Sequence, residues 1–201
     1  QNEMKNLMTL VLVMILSVFF TACEKEEALA TNTVSADQLA QEWVSAYEDI
    51  VGDIKFTGRD VDKVRIEPLS PRSTEQVTKF YAEHQLTLDE NILESFFAIS
   101  KEVDRYVGQN SQHRSLFQEA LSTQIKTKRE TVPSFSLRSG GKMQCLKEYD
   151  ERNWKIVEDM GKCAMGASAG GGSLGYSACG IIGLTELGLS RLQLERCLNE
   201  Q

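Results

Sequence analysis

Four cysteines in the C-terminal part of the chain constrain its fold more than any other feature. Cys145 and Cys163 are 18 positions apart, and Cys179 and Cys197 are also 18 positions apart. Eighteen residues make about five helical turns, so the two members of each pair lie on one face of a helix, about 27 Å apart. Bridged cysteines have Cα atoms about 4.4–6.8 Å apart, so neither pair can form a disulfide within one helix.

An antiparallel pair of helices brings these four cysteines together. The residue numbers 145 and 197 add up to the same total as 163 and 179. In an antiparallel pair of helices, the register that places Cys145 opposite Cys197 therefore also places Cys163 opposite Cys179. The spacing therefore predicts a hairpin with a Cys145–Cys197 disulfide at its base and a Cys163–Cys179 disulfide near its tip. The other two connectivities would need broken helices or a parallel arrangement.

The residues that flank the cysteines agree with a closely packed hairpin. The stripe on the first arm continues through Tyr149, Ile156 and Met160, and the stripe on the second arm through Gly183, Ser190 and Gln193. Small residues on one arm let two helix backbones approach closely. The alternatives are four reduced cysteines in the core or a zinc site, but no CxxC pair or nearby histidine has the spacing of zinc ligands.

The N-terminal residues have the pattern of a signal peptide. Lys5 supplies a positive charge, and the stretch from Leu7 to Phe20 is almost entirely apolar and ends in small residues. This stretch is short for a helix that spans a membrane. We expect Met4 to be the start of translation and residues 1–22 to be a signal peptide.

The end of this segment reads Phe20-Thr21-Ala22-Cys23, which resembles the lipobox of bacterial lipoproteins. The resemblance implies cleavage before Cys23 and attachment of diacylglycerol and further acyl chains, such as palmitate, to that residue. The tract Glu24-Lys25-Glu26-Glu27 is similar to the export signal of surface lipoproteins of the Bacteroidota. It implies an outer-membrane location, on the periplasmic or the surface face. The alternatives are an ordinary signal peptide with a chance cysteine and a charged linker.

The rest of the chain is predicted to be helical. Three pairs of residues resemble capping boxes, and each precedes an apolar run of helical period: Ser35 with Gln38, Ser73 with Gln76, and Thr87 with Glu90. The first run is Leu39, Trp43, Tyr47, Ile50 and Ile54. Gly108 is the expected end of the third helix, Ser111 the start of a fourth, and residues 61–66 a short extended piece.

These patterns predict an all-α fold with a bundle of about four helices and a C-terminal disulfide-linked hairpin. The predicted divisions are a signal peptide (1–22), a lipidated tether (23–34), the bundle (35–130), a linker (131–142) and the hairpin (143–201). Whether the hairpin packs on the bundle is not determined by the sequence.

The segment from Cys163 to Thr185 contains no charged residue, and nine of the 14 glycines fall between Gly161 and Gly188. Small-xxx-small patterns favour close helix packing in membranes, and the composition resembles the glycine-zipper parts of membrane-active bacteriocins. The residues expected to touch lipid under this hypothesis are Gly166, Gly170, Leu174, Gly175, Ile181 and Ile182. The alternative, which we favour, is a tight turn and a close-packed arm of the hairpin.

Catalytic, cofactor and nucleic-acid motifs are not evident in the sequence. His84 and His113 fall on separate predicted helices, and carboxylate pairs such as Asp150 with Glu151 or Asp89 with Glu90 fit helix faces and caps. No metal or cofactor is expected. The net charge of −7 without a basic stripe argues against nucleic-acid binding.

Three functions remain open from the sequence. The first is a membrane-anchored envelope lipoprotein with a non-enzymatic binding or structural role, whose protein partner the sequence does not identify. The second is a membrane-active or antagonistic factor that acts through the glycine-rich hairpin. The third is an enzyme whose site carries no recognisable motif. The first agrees best with the N-terminal anchor and the helical pattern.

Overall fold

The computed structural model describes residues 34–64, 73–131, 141–169 and 175–201. The chain divides into two units, residues 1–35 and 36–201. In the first unit, only Val34 and Ser35 are described, and neither is in a helix or strand. The predicted signal peptide and Cys23 lie outside the described residues, as do the tether up to residue 33, Gly170 and Leu174.

The second unit is almost entirely helical, which confirms the predicted all-α class. Two two-residue strands pair antiparallel, with Lys55 opposite Thr87. The elements are α1 (Ala36–Asp53), β1 (Lys55–Phe56), a 3-10 turn (Val61–Lys63), α2 (Thr74–Glu83), β2 (Leu86–Thr87), α3 (Glu90–Gln109), α4 (Ser111–Thr131), α5 (Gly141–Ala169) and α6 (Gly175–Asn199).

Two of the predicted helix starts are correct, and one is displaced. Helix α1 begins directly after Ser35, and the Ser73 hydroxyl accepts a hydrogen bond from the Gln76 amide at the start of α2. Helix α3 is capped by Asp89 rather than Thr87, because Thr87 is paired in β2. The Asp89 carboxylate accepts from the Asn91 amide at 2.8 Å.

Two loop predictions need correction. Gly108 does not end α3, which continues to Gln109. The break falls at Asn110, whose backbone is extended and whose side chain accepts a hydrogen bond from the His113 amide of α4. The extended piece predicted at residues 61–66 is a 3-10 turn over Val61–Lys63, because the Asp60 side chain accepts from the Asp62 amide and starts the turn. Residues 65 and 66 lie outside the described residues.

Helix α1 lies at the centre of the core. Its predicted apolar face is fully buried, as is Ile54, which follows the helix. Trp43 packs against Tyr47, Phe96 of α3 and Tyr176 of α6. Its indole N–H donates to the Ser100 hydroxyl at 3.0 Å. Trp43 and Trp154 are both core residues.

The C-terminal hairpin and both of its disulfides are confirmed. Cys145 is bonded to Cys197, with Cα atoms 5.7 Å apart, and Cys163 is bonded to Cys179, with Cα atoms 5.9 Å apart. The first bridge joins the beginning of α5 to the end of α6, and the second joins the last third of α5 to the beginning of α6.

The helices of this hairpin approach closely where the second arm has small residues. A Cβ atom on Gly183 would lie 2.2 Å from the Met160 sulfur. The Ser190 hydroxyl donates to the Asn153 side-chain oxygen at 2.9 Å, and the Tyr47 hydroxyl of α1 donates to the Asn153 carbonyl oxygen. The predicted close approach at Gly183 and Ser190 is therefore present, while Gln193 is exposed.

The hairpin packs on the other helices and shares their core. The Tyr81 hydroxyl of α2 donates to the Leu184 carbonyl of α6 at 2.8 Å. A Cβ atom on Gly180 would meet the ring of Phe96, and one on Gly188 would meet the ring of Phe80. Residues 36–201 therefore form one compact unit with a core of its own, and we expect this segment to fold without residues 1–35.

Of the linker predicted for residues 131–142, residue 131 ends α4, residues 141 and 142 begin α5, and residues 132–140 lie outside the described residues.

Replacing Gly183 with alanine should destabilise the protein by about 1–3 kcal/mol, because Met160 would have to move within a packed interior. Gly166 on α5 is a matched control, since a Cβ there would have nothing within 4 Å. The Gly166→Ala variant should be more stable by up to about 1 kcal/mol through its better helix propensity. Urea unfolding of both variants measures the difference, and equal effects of the same sign would contradict the packing account.

Candidate functional site

A groove of about 480 Å³ runs between α4 and α5 and is the best candidate for a binding surface among the described residues. Its floor is apolar and contains the buried side chains of Leu121 and Ile125. Opposite them lies Gly161, whose missing side chain lets α5 approach Leu121 closely. A Cβ there would already be 3.2 Å from a Leu121 methyl carbon.

The rim of this groove is polar and charged. It is formed by Gln118, Ser122, Lys126, Arg129 and Glu130 of α4 and by Glu158 and Lys162 of α5. These side chains include three cations and two carboxylates, so the rim carries a local charge of about +1 in a chain of net charge −7. A cleft with an apolar floor and a few polar groups at its rim is the usual form of a small-molecule site.

One ion pair joins the two sides of the groove at one end. Arg129 of α4 contacts Glu158 of α5 at 2.5 Å. Lys126 and Glu130 are 4.0 Å apart on the exposed face of α4, so their attraction is weak. At the other end, Lys162 contacts Asp159 at 3.5 Å, and both side chains are at least half exposed.

Sequence reasoning missed this groove. The run from Lys126 to Glu130 has the composition of a solvated helix end, and Gly161 belongs to the glycine-rich part of the hairpin. The groove exists because α4 lies beside α5, which no local pattern in either helix indicates.

A second groove, of about 690 Å³, lies between α2 and α3. Leu93 and Phe97 of α3 contribute apolar surface, and Glu75, Glu90 and Glu94 make the rim acidic. Its volume is larger than that of the α4–α5 groove, and nothing in its described surroundings indicates what would occupy it.

The residues predicted to touch lipid differ in their exposure where the structure describes them. Gly166 is exposed on α5, and Ile182 of α6 is 37% exposed. Ile181 and Gly175 are only partly exposed. Gly170 and Leu174 lie outside the described residues. Lipid contact by any of these residues stays a prediction.

Asp104 of α3 holds the beginning of α6, a role that the sequence did not indicate. Its carboxylate accepts hydrogen bonds from the backbone amides of Tyr176 and Ser177, at 2.5 and 3.1 Å, and from the Ser177 hydroxyl at 2.7 Å. Gly175 precedes them with a φ of +56°, a conformation that favours glycine. A carboxylate at a helix N-terminus is stabilised by the free amides and by the helix dipole.

The buried tyrosines have structural roles. Burial raises the pKa of Tyr47 and of Tyr81 well above the ordinary value, so both hydroxyls stay protonated and act as donors. Each donates to a backbone carbonyl, at Asn153 and at Leu184. They join α1 and α2 to the hairpin.

The carboxylates of the predicted pairs lie in different environments. Burial raises the pKa of Asp150, whereas Glu151 is exposed and pairs with Lys147. The Asn91 amide and side chain donate to Asp89 and lower the pKa of its carboxyl, in keeping with its role as a cap. Asp150 is therefore less solvated than the sequence suggested.

The two histidines lie apart, as predicted. His84 is buried at the end of α2, where its Nδ1 is 2.8 Å from the Phe80 carbonyl oxygen. His113 lies in α4 and stacks on Tyr106.

Among the described residues, no group of three or more His, Cys, Asp or Glu side chains is arranged to hold a metal ion. The helices that the structure describes include none with the length and apolar character needed to cross a membrane.

No known protein family matches this chain, and neither a characterised protein nor a solved structure is significantly similar to it.

Proposed function

We propose that this chain is a lipid-anchored protein of a bacterial envelope, held through Cys23, whose helical unit binds a ligand or partner without catalysing a reaction. The observation that carries the proposal is the pair of disulfides between α5 and α6. Disulfides persist in oxidising compartments outside the cytosol. They therefore agree with the export that Lys5, the apolar stretch from Leu7 to Phe20, and Cys23 predict.

The α4–α5 groove supports a binding role for the anchored unit. Its apolar floor and charged rim suit recognition of a small molecule, and its walls are two long helices packed on the same core. Sites built on helices keep their geometry better than sites built on loops. The tether would let this unit work at a short distance from the membrane surface.

The membrane-active alternative has less support. Seven residues of the uncharged segment are buried in the described structure: Ala164, Tyr176, Cys179, Gly180, Gly183, Leu184 and Thr185. Their burial against the other helices explains why the segment is apolar. Insertion of α6 into a bilayer would first require its release from Asp104, Tyr81 and Trp43.

The anchor is tested by mass spectrometry of the protein purified from bacterial membranes. We expect a mature chain that begins at Cys23 and carries a diacylglyceryl group and further acyl chains, because one chain alone anchors only marginally. The Cys23→Ala variant should lack the lipid and leave the membrane fraction, with unchanged disulfides in residues 36–201. An unmodified Cys23 in the mature wild-type chain would overturn the anchor.

The non-enzymatic role is tested with the purified unit of residues 36–201. We expect no turnover across a broad panel of hydrolase substrates. Turnover that is lost when the α4–α5 groove is blocked would instead make that groove an active site.

A further inference from the structure

We propose that the α4–α5 groove binds a long-chain carboxylate, with the aliphatic chain on Leu121, Ile125 and Gly161 and the carboxylate at Lys162. The inference rests on the proposed function, in which this groove is the binding surface, and it names the class of ligand. Shape, floor and charge each contribute to the argument.

The shape of the groove selects an extended chain. Its lining on α4 runs from Gln118 to Glu130, which at 1.5 Å per residue is about 18 Å. The lining on α5 comprises Glu158, Gly161 and Lys162, so the groove is elongated along α4. This elongated shape suits one linear aliphatic chain.

The floor of the groove is apolar along its middle. Leu121 and Ile125 lie one helical turn apart on α4 and are 4% and 5% exposed. Gly161 of α5 lies against Leu121 and completes the apolar part of the lining. A polymethylene chain placed here would remove its own apolar surface from water, which is the main driving force for binding of such ligands.

The charges place the carboxylate at one end. Helices α4 and α5 run antiparallel, because Arg129 faces Glu158 while Leu121 faces Gly161. At the Arg129 end, Glu158 already neutralises the guanidinium at 2.5 Å. At the Gln118 end, the lining contains the Lys162 ammonium and no carboxylate. The contact of Lys162 with Asp159, at 3.5 Å between exposed side chains, is weak enough to be exchanged for a ligand carboxylate.

Titration of residues 36–201 with dodecanoate, below its micellar concentration, tests the proposal by calorimetry. We expect saturable binding with one site per chain. Methyl dodecanoate, which stands in for the esterified chains of membrane lipids, should bind at least fivefold more weakly. Dodecyltrimethylammonium should bind at least tenfold more weakly, because its charge has the wrong sign for Lys162.

Two pairs of variants locate the site. Ser122 lines the groove and is exposed, so Ser122→Trp should weaken dodecanoate binding at least tenfold, whereas Thr123→Trp, on the neighbouring exposed position outside the lining, should not change it. Lys162→Gln should weaken binding about fivefold and reduce its salt dependence, whereas Lys155→Gln should have no effect. Circular dichroism and thermal unfolding check that each variant is folded.

Three results would overturn the proposal: no saturable binding of dodecanoate, equal affinity for the carboxylate and the quaternary ammonium amphiphile, or undiminished binding by folded Ser122→Trp. These outcomes differ from failure of the proposed function. If Cys23 of the full chain is lipidated but residues 36–201 do not bind dodecanoate, only the proposed ligand is overturned. If residues 36–201 bind dodecanoate but Cys23 of the full chain is unmodified, only the anchor is overturned.

Discussion

Removing the Cys145–Cys197 disulfide should lower the free energy of unfolding by about 4 kcal/mol. The bridge closes a loop of 52 residues, and loop-closure entropy of the unfolded chain gives a value of this size. The Cys163–Cys179 bridge closes only 16 residues, for which the same relation gives about 3 kcal/mol. The outer bridge should therefore contribute more than the inner one, although the two have similar Cα separations.

Urea unfolding of residues 36–201 measures both effects, with each cysteine pair replaced by alanine. The slope of the free energy of unfolding against urea concentration should be steeper in each variant, because an unfolded chain without the bridge exposes more surface. The variant without either bridge should be close to unfolded at 37 °C, since a loss of about 7 kcal/mol is comparable with the stability of a typical domain. A larger loss from the inner bridge than from the outer one would contradict the entropic account.

The cysteine pairing could be predicted because it depends on spacing alone. The cysteines of each arm are 18 residues apart, and the residue numbers of the two bridged pairs add up to the same total. These two facts define an antiparallel register without any knowledge of the remaining chain. The apolar face of α1 was predictable for the same reason, since helical periodicity is a local property.

The features that the sequence did not reveal depend on which elements meet in space. Thr87 and Asp89 both have the chemistry of a helix cap, and the pairing of Thr87 with Lys55 decides in favour of Asp89. Asp104 lies 72 positions from Tyr176, so its role at the start of α6 follows from tertiary packing. The groove depends in the same way on Gly161 facing Leu121.

Replacing Trp43 with alanine should cost about 3–5 kcal/mol, the usual range for a large aromatic side chain deleted from a core. Trp43 is fully buried and joins three helices through its contacts with Phe96 and Tyr176. The deletion also leaves the Ser100 hydroxyl, which is fully buried, without its indole donor. Because Trp154 is the only other tryptophan, its fluorescence reports unfolding of the variant.

Two further variants separate packing from hydrogen bonding at Trp43. Trp43→Phe keeps most of the ring but removes the N–H group, so it should cost less than the alanine variant. Combined with Ser100→Ala, it should show a coupling of about 0.5–1.5 kcal/mol, the net value of an ordinary hydrogen bond. If Trp43→Ala costs under about 1 kcal/mol, the contact between α1, α3 and α6 is not the centre of the core. The hairpin would then be attached mainly through its other contacts with the bundle, which include the hydrogen bonds of Tyr47, Tyr81 and Asp104.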